Sequence, residues 1–158
     1  MSDLNVRWLS EKEVACWMAF LEMQKLLMET LDRDLRDGAG ITLDDYDVLA
    51  QLSAAPQKRL RMSELAEAVI MPKSRLTYRV DQLVKRGCVA RTDCADDRRG
   101  LFAELTSGGV ALLEHAAPIH VNSVRQNFSD PIGDESASEM CRLSGEIRDH
   151  VMKNRKSM

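Results

Sequence analysis

Lys73, Ser74, Arg75, Thr77, Tyr78 and Arg79 fall within seven consecutive residues, a density of hydrogen-bond donors that suits a polyanion. Leu76, Val80 and Leu83 recur among and after them at helical spacing. This pattern predicts a helix with an apolar inner face and donors at its start and on its outer surface. Arginine and lysine can donate to guanine edges, and serine, threonine and tyrosine hydroxyls to phosphate oxygens. The positive N-terminus of such a helix also attracts an anion. A second cluster, Asp97-Arg98-Arg99-Gly100, ends a polar stretch from Thr92 that reads as an exposed hairpin loop. Arginine at the tip of such a loop fits a narrow minor groove, and Asp97 is near enough in sequence to brace a guanidinium.

The elements that hold these side chains are mostly helical. Val14, Trp17, Met18, Leu21, Met28, Leu31 and Leu35 mark one apolar face of a long first helix, stopped by Gly38 and Gly40. Thr42 and Asp45 make a variant capping box for a second helix from about Leu43 to Ser53, which buries Tyr46, Leu49 and Leu52 and ends before Pro56. Ser63 to Val69 forms a short third helix with Leu65, Ala66 and Val69 inward. Pro72 sits in the first turn of the fourth, and Gly87 gives its left-handed stop. Cys88–Arg91 and Leu101–Leu105 read as short strands. Thr106 caps a fifth helix reaching about Phe128, with a kink at Pro118. Asp130-Pro131 turns the chain, and a last helix from near Asp134 carries Met140, Leu143, Ile147 and Val151 on one stripe. Two short helices joined by a tight turn and followed by a basic hairpin give helix-turn-helix order with a wing. The expected fold is therefore mostly α with a small β-hairpin. Residues 41–105 form a winged helix-turn-helix lobe, and residues 1–38 and 106–158 a helical dimerisation region.

Charge is unevenly placed. The formal net charge is -3, yet residues 57–100 carry eleven basic against six acidic side chains, an excess that phosphate binding requires. Hydrophobic residues at 44% and charged residues at 30% exclude a disordered composition. Glu11, Lys12, Glu13 and Glu22 interrupt the apolar residues near the start, so neither a signal peptide nor a membrane span is expected, and the expected compartment is the cytoplasm. Cys16, Cys88, Cys94 and Cys141 show no C-x-x-C spacing, and His115, His120 and His150 add no ligand motif. No metal and no cofactor are expected. A glycine-rich phosphate loop and a nucleophile elbow are also missing, so the chain does not read as an enzyme.

From Met62-Ser63-Glu64-Leu65-Ala66, through Ser74-Arg75-Leu76-Thr77-Tyr78-Arg79-Val80-Asp81-Gln82-Leu83 to Gly87, and on through Asp97-Arg98-Arg99-Gly100 to Leu105-Thr106, the sequence resembles the multiple-antibiotic-resistance regulator (MarR) family. The family's aspartate-any residue-arginine wing pattern falls on Asp97 and Arg99. The resemblance implies a transcription regulator of double-stranded DNA, a repressor released by a small-molecule effector. It implies a homodimer with intertwined terminal helices, bound to a pseudo-palindromic operator. It carries DNA contacts onto Ser63, Lys73, Ser74, Arg75, Thr77, Tyr78 and Arg79, and wing contacts onto Asp97, Arg98 and Arg99. Gln82 departs from a frequent basic residue, and Pro72 from a polar cap. The resemblance also implies an effector pocket between the dimerisation helices and the DNA-binding lobe. Trp17, Phe20 and Tyr46 are candidates to line it around an aromatic or amphipathic molecule, with core packing as their other reading. Two alternatives stand beside this one. The first is a thiol-based oxidant sensor using Cys16, whose apolar neighbours Val14, Ala15, Trp17 and Met18 favour instead a buried, inert thiol. The second is a helical interaction protein that reads no DNA.

Overall fold

The structure, a computed structural model, describes residues 6–94 and 97–156; the side chains of Cys94, Asp97, Arg98, Arg99 and Lys156 lie outside what is described. Helix α1 (Glu11–Ala39) opens on a capping box in which Ser10 accepts from the Glu13 N–H and Glu13 accepts from the Ser10 N–H at 2.7 Å. It closes on Gly40 at φ 65°, whose N–H donates to Arg36. Gly40 alone is the stop. Gly38 lies inside the helix, where a Cβ would come within 2.8 Å of the Ile119 side chain, so this glycine lets the fifth helix approach closely.

Helix α2 (Leu43–Ala54) is capped as its sequence implies. Thr42 accepts from the Asp45 N–H and Asp45 accepts from the Thr42 N–H, both at 3.0 Å. Val48, Leu49 and Leu52 are its buried apolar residues, whereas Tyr46 is only partly buried against the core. A short 3-10 turn (Pro56–Lys58) leads into strand β1 (Arg59–Arg61), an element beyond the two strands expected. Helix α3 (Met62–Ala68) and helix α4 (Lys73–Lys85) follow. Pro72 is the N-cap of α4 and supplies no side-chain cap bond.

Strands β2 (Val89–Cys94) and β3 (Asp97–Leu105) run further than the expected pair, so most of the polar stretch from Thr92 to Gly100 is strand instead of loop. The sheet order is β1-β3-β2, all antiparallel, with Ala103 of the central strand opposite Leu60 on one side and Arg91 on the other. Thr106 then joins sheet to helix: its hydroxyl donates to the Gly87 carbonyl at 2.6 Å and accepts from the Gly109 N–H, and its own N–H donates to the Cys88 carbonyl. Gly109 packs so tightly there that a Cβ would fall 2.1 Å from the Cys88 carbonyl oxygen.

Helix α5 (Ser107–Val124) passes through Pro118 and ends in a π-helical turn (Arg125–Ser129) rather than continuing to Phe128 as α-helix. Helix α6 (Asp130–Lys156) includes Asp130-Pro131, and the break expected there falls at Gly133 (φ 68°). The core lies where α2, α3 and α4 meet β3 and the lower part of α1, around Leu35, Leu49, Leu65, Leu76, Leu83 and Leu105. The upper part of α1 and the stripe on α6 have no such cover: Trp17, Met18, Phe20, Leu143, Ile147 and Val151 are exposed on the single chain. Cys16 is exposed among them, not buried in a core, because nothing among the described residues covers that part of α1.

Both helices of the helix-turn-helix end in the same hydrogen-bond pattern. Cys88 N–H donates to Leu83 and Gly87 N–H to Val84 after α4, while Met71 N–H donates to Ala66 and Ile70 N–H to Glu67 after α3. The pattern needs a left-handed residue, which is Gly87 (φ 72°) in one case and Ile70 (φ 51°) in the other. A β-branched side chain is strained in that region, and Ile70 is exposed, so packing offsets little of the strain. Ile70→Gly is expected to raise stability by about 1 kcal/mol, read as a higher urea midpoint at fixed protein concentration. An unchanged or lower midpoint would mean that the Ile70 side chain contributes packing that outweighs its backbone strain.

Candidate nucleic-acid interface and cavity

The α4 surface is assembled as its periodicity requires. Leu76, Val80 and Leu83 are buried, and Lys73, Ser74, Arg75, Thr77 and Tyr78 are exposed together at and near the helix start. With no cap side chain on Pro72, the first N–H groups of α4 point outward beside these donors. Ser63 is exposed at the start of α3. A polar cleft of about 300 Å³ lies between Arg61, Ser63, Lys73, Thr77 and Leu101, open to the same side. Arg61 and Leu101 were not among the sequence candidates; the basic pair Arg59 and Arg61 was the available signal, and both guanidiniums lie over the Phe102 ring at 4.9 and 5.5 Å.

Not every donor is free for an outside partner. The Thr77 hydroxyl donates back to the Lys73 carbonyl at 2.9 Å, leaving its oxygen to accept. Arg75 donates from Nε to Asp44 at 2.7 Å and stays largely exposed, with 59% of its side chain open. Arg79 is drawn inward, with 22% of its side chain open. It lies 3.4 Å from Asp44 and 3.8 Å from Asp45, and its Nε makes no hydrogen bond, so these contacts are Coulombic. Helical periodicity puts Arg79 with Arg75 on the outer face; the acidic start of α2 pulls it away. Arg91 of β2 ties the sheet to α4 through Asp81 at 2.6 Å. The side chains of Asp97, Arg98 and Arg99 fall outside the described residues.

A separate cavity of about 440 Å³ opens between α1, α2, α5 and α6. Phe20, Leu27, Leu31, Phe128 and Met140 give it an apolar wall, and Asp47 and His120 are its ionisable groups. Of the aromatic candidates, Phe20 lines it; Trp17 stacks on Phe20 at 5.9 Å, and Tyr46 on His120 at 4.3 Å, both one layer back. Asp47 is exposed over the whole residue, and it lines this largely apolar cavity. Desolvation there, with the Asp44 charge adding, pushes its pKa up to about 6. Burial pushes the His120 imidazole below its ordinary value, towards the neutral form. Asp47 and His120 carried no signal in the sequence, because only the packing of α2 on α5 brings them to one cavity. Among the described residues no group of acidic, histidine and cysteine side chains could hold a metal ion, and no helix is long and apolar enough to cross a membrane.

The MarR family model matches residues 39–100, the span from the end of α1 to the wing. The chain is 38% identical to AbsC, a MarR family transcriptional regulator from Streptomyces coelicolor, covering 94% of this chain and 99% of that one at a TM-score of 0.88. It is 39% identical to Sco3205 of the same organism, a MarR family regulator solved in complex with DNA, covering 94% and 91% at a TM-score of 0.86. PecS, an HTH-type transcriptional regulator of Dickeya dadantii, is 26% identical over 98% of this chain and 96% of its own length.

Two stability measurements check the electrostatics. Arg79→Ala should cost about 1–3 kcal/mol in urea unfolding, since it takes a poorly exposed cation from between Asp44 and Asp45 and leaves Asp45 with none, whereas Arg75→Ala should cost less than about 1 kcal/mol. Equal costs would mean that the inward pull on Arg79 has no energetic weight. For Asp47 the folded chain holds its proton to higher pH than the unfolded chain, so ionisation costs stability between about 4 and 6. Asp47→Asn should therefore match the parent chain near pH 4 and become the more stable of the two above pH 6.

Proposed function

Since the chain belongs to the MarR family of transcription regulators, we propose that it is a homodimeric repressor that binds a pseudo-palindromic DNA operator and is released by a small molecule. It binds DNA through α4, and the observation that carries this reading is the exposed group Lys73, Ser74, Arg75, Thr77 and Tyr78 around an uncapped helix start. Arg75 is the side chain with both reach and freedom, because its Asp44 partner is shared with Arg79 and its own side chain is solvent-exposed. Ser63 and Lys73 flank the polar cleft and suit a phosphate. Arg98 and Arg99, with Asp97 as brace, take the wing role in the flanking minor groove. The exposed apolar faces of α1 and α6 suit a second copy of the chain. The cavity between α1, α2, α5 and α6 suits the effector, because a ligand there touches both the helices that pair and the helix on which α4 packs. The chain works in the cytoplasm, where the DNA is, and no catalytic step is assigned to it.

Operator fragments selected from genomic DNA and titrated by fluorescence anisotropy provide the test. Arg75→Ala should lose about 1–3 kcal/mol of discrimination at one base position in each half-site. The double variant Arg98→Ala with Arg99→Ala should bind more weakly and flatten the slope of log K against log salt, by up to about 0.9 for each phosphate no longer neutralised. Variants with unchanged ratios of specific to random binding and unchanged salt slope would overturn the assignment of both elements.

A further inference from the structure

We infer that the effector is an apolar molecule carrying an amine, held by Asp47 in the cavity lining, rather than an organic acid. This rests on the reading of that cavity as the effector site. The wall is apolar, and its polar members are Gln24, Asp47, His120 and Ser144, with neither lysine nor arginine among the lining residues. An organic acid would find no cation in this lining, only the neutral donors of Gln24, Ser144 and the imidazole. The start of α2 lies beside the cavity at Leu43, but its Leu43 N–H already donates to Asp32 at 2.8 Å and its Asp45 N–H to Thr42. The field there is set further against an anion by Asp47 on the same helix.

An ammonium group meets the opposite situation. Among the described residues Asp47 accepts no hydrogen bond and forms no ion pair, so its carboxylate has unused acceptor capacity beside an apolar surface. The His120 Nδ1 is buried without a hydrogen-bond partner among the described residues, and the Tyr46 ring lies against the imidazole at 4.3 Å, tilted by 33°. Burial favours the neutral imidazole, which leaves a ring nitrogen able to accept and no positive charge to repel a cation. Among the described residues that line the cavity none is a cation. Helix α1 contributes Gln24, and its Arg36 is engaged by Asp32 at 2.6 Å; α6 contributes Ser144. On α2 itself Asp44 is ion-paired to Arg75 and Arg79 of α4, so those cations are already engaged, and Tyr46 adds a neutral phenol. Ionised Asp47 is therefore a carboxylate lacking its counterion, and a bound ammonium group supplies one.

The test uses three molecules with one body and three heads: 4-phenylbutylamine, 4-phenylbutyramide and 4-phenylbutyrate, titrated calorimetrically into the full chain. At pH 7.5 the amine should bind at least about tenfold tighter than the acid, a ratio of the size a single ion pair supports. Amine affinity should rise as pH is taken from 5 to 7.5, because the ligand stays protonated throughout while Asp47 ionises. Asp47→Asn should remove most of the amine's advantage and leave amide binding within about twofold. The parent chain's pH profile stands as a test even if that variant folds poorly. Acid binding equal to or tighter than amine binding, or an amine advantage that survives Asp47→Asn, would overturn the assignment while leaving the cavity as a site, provided the amide binds. Failure of all three to bind would overturn the cavity reading along with it.

Discussion

The first turn of α2 is the joint on which the rest of the molecule hangs. Its N–H groups must be satisfied, and the chain does this from two directions, with Asp45 and Thr42 capping each other and Asp32 of α1 accepting from Leu43. The same turn presents Asp44 to Arg75 and Arg79 of α4. A helix start thus fixes the long helix behind it and the reading helix in front of it by the same few carboxylates. The Arg86 guanidinium closes the frame from the other side, donating to the Gly40 carbonyl at 2.9 Å. The angle between α4 and α1 is consequently set in part by polar contacts around one turn.

This arrangement ties the reading helix to an internal competitor. On the proposed reading Arg75 cannot donate in full to a base edge and to Asp44 at once, and DNA binding would exchange one set of charge-assisted bonds for another. Because Arg75 is exposed and Asp44 keeps Arg79, the exchange would cost little, but it would discount whatever a base contact contributes. Arg79 is the fixed member of the two and keeps Asp44 oriented whichever partner Arg75 takes.

What the sequence made legible was local. Thr42 with Asp45, Gly87, and Thr106 ahead of α5 each announced a helix end through a side chain or backbone preference that acts within a few residues, and each stands where it was expected. The inner stripe of α4 was equally legible, since helical periodicity alone separates Leu76, Val80 and Leu83 from the donors. The hidden features depend on partners far away in the chain. Strand β1 is three residues long and exists because Leu60 finds Ala103. Asp44 meets Arg75 across 31 residues, so Asp44 read as a capping-box neighbour and Arg79 as an outward-facing donor. Gly38 read as a helix stop because only the packed structure reveals Ile119 against it. Cys16 was expected to be buried on the strength of apolar neighbours, and those neighbours are themselves uncovered in the single chain.

That uncovered face has a consequence for how the protein behaves when scarce. If the apolar surfaces of α1 and α6 are satisfied only by a second copy, then folding of the terminal helices is a bimolecular event, and its midpoint moves with the amount of chain present. Dilution would then remove the protein twice over, first by separating the copies and then by loosening the helices that had held them. Such a regulator has a built-in threshold: below a certain number of molecules per cell, newly made chains are substrates for proteolysis before they are repressors.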